Sequence, residues 1–164
     1  MTNAEILQLI QDNLPDNTSQ LITPAKHREV VEALLGAQPL LAEGILTSAQ
    51  LLNSNTSPIE LIPAPGAGLF IAMDGISVMN GTGNNYATNT SAYIRHAGQS
   101  SLSGFGVVLV NGLVQTNKSI SAQLNTATII NKSVIFETNT GDPTAGDFDI
   151  WYSIPYRILE WPFS

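Results

Sequence analysis

The first part of the chain repeats its apolar residues at helical spacing. In "MTNAEILQLIQDNLPDN", these residues are Ile6, Leu7, Ile10 and Leu14. They fall on one face of a 3.6-residue period. The pattern predicts a short helix over Ala4 to Asn13 that ends before Pro15.

A second helix is predicted in "LITPAKHREVVEALLG", which carries a fuller set of helix signals. Thr23 offers a capping hydroxyl, Pro24 suits the first helical position, and Gly36 suits the stop. The apolar stripe of this helix consists of Val30, Val31, Leu34 and Leu35. Helices this short are marginal in water without a partner. The stripe is therefore predicted to pack against the rest of the chain or, as we expect, against the same helices of sister subunits in a homo-oligomer.

The segment "AQPLLAEGILTSAQLLNSNTSP" shows only weak periodicity and is interpreted as a connector. Residues 1–50 are accordingly predicted to be a helical oligomerisation or attachment segment with its connector. Residues 51–164 are predicted to be a separate β domain, because the hydrophobic period changes near residue 58.

From Ile59 onward, short apolar or alternating runs are separated by Asn, Gly, Ser and Thr, which is typical of strands. The runs are "IELIPA", "LFIAMDGISVM", "ATNTSAYIRHA", "FGVVLVNGLVQ", "ATIINKSVIFET" and "DFDIWYSIPYRILEW". In the last run, alternate residues from Phe148 to Ile158 are apolar or aromatic, which predicts one buried face. Pro155 within it predicts an edge position or a bulge. No helical pattern interrupts the runs, so an antiparallel sandwich or jelly roll is predicted.

Composition narrows the function classes. The 164 residues contain no cysteine, which excludes disulfides and thiol chemistry. Six Lys and Arg against thirteen Asp and Glu give a net charge of −7, and the absence of a basic cluster argues against nucleic acid as a partner. The N-terminus lacks the features of a signal peptide, and no apolar run approaches the roughly 18 residues of a membrane span. We therefore expect a soluble chain made without a leader and without membrane insertion.

The stretch "IELIPAPGAGLFIAMDGISV" places a Gly-rich segment beside an apolar run. A dinucleotide or phosphate loop requires a third Gly or a Gly-Lys-Ser/Thr and a following helix, and none of these is present. Gly66 and Gly68 instead predict a β-turn with positive φ between two strands.

No constellation of catalytic residues stands out. Asp142, Asp147 and Asp149 offer oxygen ligands for calcium, but their spacing is not that of an EF-hand loop, and Asp is common in turns before strands. His27 and His96 have no metal or triad spacing, and Ser100 is not in a nucleophile elbow. We expect neither an enzyme nor a bound cofactor or metal.

The loop "MNGTGNNYATNTS" and the last strand supply candidate ligand contacts. Tyr86 follows the Gly/Asn-rich loop, and Trp151 lies opposite the apolar row of its strand, so both are expected to be exposed. Asn84 and Asn89 lie in the same loop as Tyr86 and add polar groups. These four residues are the predicted receptor-binding site.

Three motifs in a fixed order resemble a widespread group of bacteriophage virion proteins, comprising short tail-fibre, head-fibre and baseplate-type proteins. The first is I-T-P-x-x-x-R-x-V, here Ile22 to Val30. The second is P-x-x-L-I-P-A-P-G-A-G, here Pro58 to Gly68, although Leu69 stands where the group commonly has Lys. The third is Y-R-I, here Tyr156 to Ile158.

The resemblance implies a homo-oligomeric virion component, with a trimer expected, made in the host bacterial cytoplasm. Its N-terminal segment is expected to bind other virion proteins, and its β domain to attach to a host surface glycan or protein. Two alternatives remain: a purely architectural capsid-decorating or baseplate protein without receptor binding, and a lectin-like carbohydrate-binding module.

Overall fold

The structure is a computed structural model. It describes Gln8, Ile10, Asp12, Val30, Val31 and residues 38–99, 104–117 and 128–160. The chain divides into two compact units, Met1–Pro39 and Leu40–Ser164. The five described residues that precede residue 38 all have helical backbone. The other residues of the two predicted helices, including Leu34 and Leu35, lie outside the described residues.

The second unit is built from strands. Its described elements are, in order, β1 (Leu40–Leu46), α1 (Ser48–Leu51), β2 (Ile59–Ile62), β3 (Leu69–Met73), β4 (Ile76–Asn80), β5 (Ser91–His96), β6 (Phe105–Val108), β7 (Val114–Asn117), β8 (Val134–Thr138) and β9 (Ile150–Glu160). Sheet A has the order β1-β9-β4-β7, with β3 also paired to β9. Sheet B has the order β2-β8-β5-β6.

The two antiparallel sheets pack as a sandwich, which confirms the predicted fold class of a mostly β protein. One cluster of buried apolar side chains joins them, with Ile71 and Ile154 from sheet A and Ile94 and Phe136 from sheet B. Burying a side chain of this size contributes about 1.5–3 kcal/mol. All six predicted β runs contain a strand, and two of them contain two strands each.

Strand β9 organises sheet A, because it pairs with β1 on one side and with β3 and β4 on the other. Its predicted inner face is correct for Phe148, Ile150 and Ile154, which are buried. Ile158 is the exception and is 44% exposed. Strand β1 begins opposite Tyr156, so Ile158 has a neighbouring strand on one side only.

Pro155 lies at a bulge, one of the two predicted alternatives. Met73 pairs with Tyr156 and Ser77 with Ser153, so residues 74–76 face only residues 154–155. The Pro155 carbonyl accepts from the Asp74 N–H at 2.8 Å. Proline has no N–H to donate, and at Pro155 the nitrogen faces the side of β9 where the register shifts. Few ladder hydrogen bonds are therefore lost there.

The β unit begins earlier than the sequence predicts. The segment interpreted as a connector forms β1 and α1, so the compact unit starts at Leu40 rather than at residue 51. "LLAEGIL" has little alternation of apolar and polar residues and contains Gly44, which weakens its strand signal. Thr47 caps α1 and forms a capping box with Gln50, a pattern readable in "TSAQ".

The Gly-rich segment is a turn that leads into a strand, as predicted. Gly66 and Gly68 have φ of 113° and 75°, and the Leu69 N–H donates to the Gly66 carbonyl at 3.2 Å. The turn carries the chain from β2 in sheet B to β3 in sheet A.

Candidate functional site

Tyr86 is a core residue, so the predicted exposure of this side chain is wrong. It is only 4% exposed, and its ring meets the Phe148 ring edge-on at a centroid distance of 4.8 Å. Its hydroxyl donates to the Phe148 carbonyl at 2.8 Å. Burial, with smaller contributions from the charges of Asp149 and Asp147, raises the pKa of Tyr86 to about 12. The side chain anchors its loop and is not available to a ligand.

Asn84 and Asn89, the other predicted loop contacts, are engaged within the protein. The Asn84 N–H and side-chain amide donate to Asp147 at 2.6 and 2.7 Å. The Asn89 amide donates to the Asp142 carbonyl at 2.9 Å, and its oxygen accepts from the Thr140 hydroxyl. Both side chains bind the β4–β5 loop to the segment before β9.

The same loops are held in a tight backbone arrangement. Ala87 and Thr144 exchange two backbone hydrogen bonds, of 2.7 and 2.8 Å. Thr88, Asn89 and Ala145 have positive φ, which is costly for a β-branched residue such as Thr88. The loop is thus a paired and internally bonded element.

The three aspartates considered for calcium serve three separate contacts. Asp142 accepts from the Asn55 and Thr56 N–H groups and from the Thr56 hydroxyl, Asp147 binds Asn84, and Asp149 accepts from the Ser48 N–H. The hydrogen bonds from Thr56 and Asn55, that of the Thr56 hydroxyl above all, lower the pKa of Asp142. Within the described ranges, no three His, Asp or Glu side chains gather closely enough to hold a metal ion.

Trp151 lies on the outer face of sheet A, the face turned away from sheet B, and is half-buried. Its direct neighbours are Ile45 on β1 and Met79 on β4, and Met79 pairs with Val114 on β7. Directly paired residues share a face of the sheet. Ile45, Trp151, Met79 and Val114 therefore form one apolar row across four strands, which we call the outer apolar row.

The outer apolar row is open to solvent. Ile45 and Val114 at its two ends are each 62% exposed, and Met79 is 48% exposed. The next row of the sheet is polar, with Glu43, Ser153 and Ser77. A contiguous apolar patch with a polar border is typical of a protein-binding surface. Trp151 was the only member singled out from the sequence, because pairing across strands cannot be read from one strand's alternation.

An open cavity of about 400 Å³ lies between α1 and β2. It is lined by Ala49, Gln50, Asn53, Ser57, Pro58 and Ile59. The Gln50 oxygen accepts from the Thr47 N–H at 2.9 Å, and the Asn53 amide donates to the Ala49 carbonyl at 2.9 Å. These bonds fix both side-chain amides. Each bond uses one end of its amide group, so the Gln50 NH₂ and the Asn53 oxygen are not engaged in them.

His96 is buried between the sheets at the end of β5. Its Nε2 lies 2.9 Å from the Ile71 carbonyl of β3, and its Nδ1 has no hydrogen-bond partner. Burial lowers the pKa of His96. A neutral ring that donates from Nε2 fits this position, and the residue links the two sheets rather than serving a ligand.

Of the predicted oligomer interface, the structure describes Val30, which is buried, and Val31, which is exposed. Leu34 and Leu35 lie outside the described residues.

No protein-family model, curated protein or solved structure matches the chain. Among the described residues, no helix has the length and apolar character needed to cross a membrane.

Proposed function

We propose that the protein is a structural component of a bacteriophage virion and binds another virion protein through the outer face of sheet A. The observation that carries the proposal is the outer apolar row, which leaves Ile45, Met79 and Val114 largely exposed on a sheet with a polar border. The order of the three motifs in the sequence supports a virion protein. The internal bonding of the Tyr86 loop favours an architectural role over receptor binding by that loop.

The test has two parts, the first of which locates the protein. Mass spectrometry of purified particles, with immunogold labelling, is expected to find the chain in the virion. Its absence from purified particles would refute the proposal.

The second part tests the surface. Ile45→Lys and Val114→Lys place a charge in the outer apolar row and are expected to abolish incorporation into particles. Val108→Lys is the matched control, since Val108 is also an exposed apolar residue but lies outside the row. Incorporation of both row variants at the level of the control would exclude this surface.

Oligomerisation through the N-terminal stripe is part of the proposal. Val31 is exposed and available to a sister subunit. Light scattering of the purified chain is expected to give the mass of a trimer, and Val31→Lys is expected to lower it. A monomeric mass for the unaltered chain at micromolar concentration would contradict this part.

Attachment to a host surface glycan is the second candidate function, and the α1–β2 cavity favours it. An apolar floor of Pro58 and Ile59 beside the fixed amides of Gln50 and Asn53 suits a sugar ring. Gln50→Ala is expected to weaken adsorption of the phage to its host while particles still assemble. Unchanged adsorption would remove this candidate.

A further inference from the structure

Among the described residues, five strands of the sandwich have a neighbouring strand on one side only: β1, β3 and β7 in sheet A, and β2 and β6 in sheet B. The second edge of β3 is partly covered, because its Leu69 carbonyl accepts from the Asn131 N–H and its Ile71 carbonyl lies 2.9 Å from His96 Nε2. An edge strand presents unpaired backbone N–H and C=O groups, and proteins usually block such edges with bulges, prolines, charges or short strands.

Strand β6 is blocked by a side chain. The Gln115 amide oxygen accepts from the Val108 N–H at 3.0 Å, and its NH₂ donates to the Val108 carbonyl at 3.1 Å. The amide thus takes the place of a neighbouring strand at this residue. Both backbone groups of Val108 are satisfied without an additional chain.

Strands β2 and β7 are poor templates for another reason. Each has only four residues. Strand β2 is flanked by Pro58 and Pro63, and its pairing shifts register between Glu60 and Ile62. Short length, flanking prolines and a bulge are the usual protections of an edge.

Strand β1 is the least protected of these edges, although Pro39 precedes it and Glu43 places one charge on its outer face. It has seven residues and pairs with β9 in unbroken register from Leu40 to Leu46. It contains neither proline nor lysine, and Leu41 and Ile45 on its outer face are exposed. Among the described residues, no strand pairs with its second edge. The open edge is also continuous with the outer apolar row, which begins at Ile45.

Charge decides which kind of strand this edge favours. Glu43 is exposed on the outer face between Leu41 and Ile45. Cross-strand pairs of opposite charge stabilise a sheet, whereas like charges directly opposite each other destabilise it. A second copy of β1 in the antiparallel register that matches Leu41 with Ile45 would place Glu43 opposite Glu43. The chain as a whole is also acidic, with a net charge of −7.

We propose that β1 binds an extended segment of another protein as an added strand of sheet A, with a Lys or Arg opposite Glu43 and apolar residues opposite Leu41 and Ile45. Main-chain hydrogen bonds hold the segment, and its alternate side chains select it. The inference rests on the proposed function, in that it names the chemistry of the virion partner.

The probe is a synthetic peptide in which every second residue is threonine. The residues between the threonines are, in order, valine, lysine and valine, so these three side chains lie on one face of the strand. One matched peptide has glutamate in place of the lysine, and another has N-methylated backbone nitrogens that cannot donate hydrogen bonds. Titration of the isotope-labelled full chain with each peptide is followed by NMR. We expect the lysine peptide to shift the amide signals of residues 40–46 and to bind about three- to ten-fold more tightly than the glutamate peptide. The N-methylated peptide is expected not to bind.

Variants test the assigned residues. Glu43→Lys is expected to reverse the preference, so that the glutamate peptide binds more tightly. Ile45→Lys is expected to weaken binding of both peptides, whereas Val108→Lys, which changes an exposed apolar residue of β6 outside the outer apolar row, is expected to leave it unchanged.

Three results would overturn the proposal. The first is no shift at residues 40–46 with any peptide, and the second is equal binding of the lysine and glutamate peptides. The third is self-association that Ile45→Lys abolishes, which would make a second copy the occupant. Peptide binding is measured without particles, so absence of the chain from virions would refute the proposed function and leave this result standing.

Discussion

Replacement of Tyr86 by Phe and by Ala tests whether this residue is an anchor of the fold or a ligand contact. Tyr86→Phe keeps the ring against Phe148 but leaves the Phe148 carbonyl without its 2.8 Å donor. A buried polar group that loses its partner costs about 1–3 kcal/mol. Tyr86→Ala also removes the buried ring, which costs about 3–5 kcal/mol.

The free energy of unfolding is measured by urea titration at neutral pH, where Tyr86 is neutral because its pKa is about 12. We expect a clear loss for Tyr86→Phe and a larger one for Tyr86→Ala. For a unit of this size, each kcal/mol lowers the melting temperature by about 4 °C. Thr82→Ala, in the exposed part of the same loop, is the control and is expected to change stability by less than about 0.5 kcal/mol. If Tyr86→Ala is as stable as this control, Tyr86 is not a core residue and the argument fails.

Three further predictions concern boundaries and pH. A fragment of residues 40–164 is expected to keep its β circular dichroism and cooperative melting, whereas residues 51–164 lose both because β1 is missing; equal melting curves would contradict this. His96, whose pKa burial lowers, is neutral in the folded state, so stability is full above about pH 6.5 and falls below it. Urea midpoints from about pH 7.5 to 5.5 are expected to show this fall, and His96→Gln is expected to reduce it. Asp142 has a lowered pKa through Thr56, so its contribution is present above the ordinary carboxyl pKa and is lost as pH falls through the lowered value. Asp142→Asn is therefore expected to lower stability at neutral pH and to flatten the acid unfolding curve, and identical curves would argue against the contact.

The strands were readable from the sequence because their alternation is local. "LFIAMDGISVM" contains two strands because Asp74 and Gly75 interrupt it, and the residue opposite that interruption, Pro155, was predicted to lie at an edge or a bulge. The strand β1 was missed because "LLAEGIL" alternates little between apolar and polar residues, and its partner β9 lies near the other end of the unit. A strand whose stability comes from a distant partner leaves a weak local signal.

The site was harder to predict, since burial in the loops depends on distant residues. Tyr86 follows a polar loop and is an expected surface residue by composition, but Phe148 covers it. Asp142 and Asp147, which were weighed from the sequence as calcium ligands, accept hydrogen bonds from backbone N–H groups of other loops, partners that the sequence does not indicate. The outer apolar row requires the register of four strands, which no single stretch of sequence contains.

The position of β9 in the middle of sheet A also constrains synthesis of the protein on the ribosome. Strands β1, β3 and β4 all pair with β9. These pairings cannot form until residues 150–160 have left the ribosomal exit tunnel. Until then, β1 of the nascent chain lacks its partner strand β9. Strands with unpaired edges are prone to intermolecular association. Sheet A is therefore completed only after translation of its last strand. A premature stop codon between codons 81 and 150 would leave β1, β3 and β4 without β9 rather than give a slightly shortened protein.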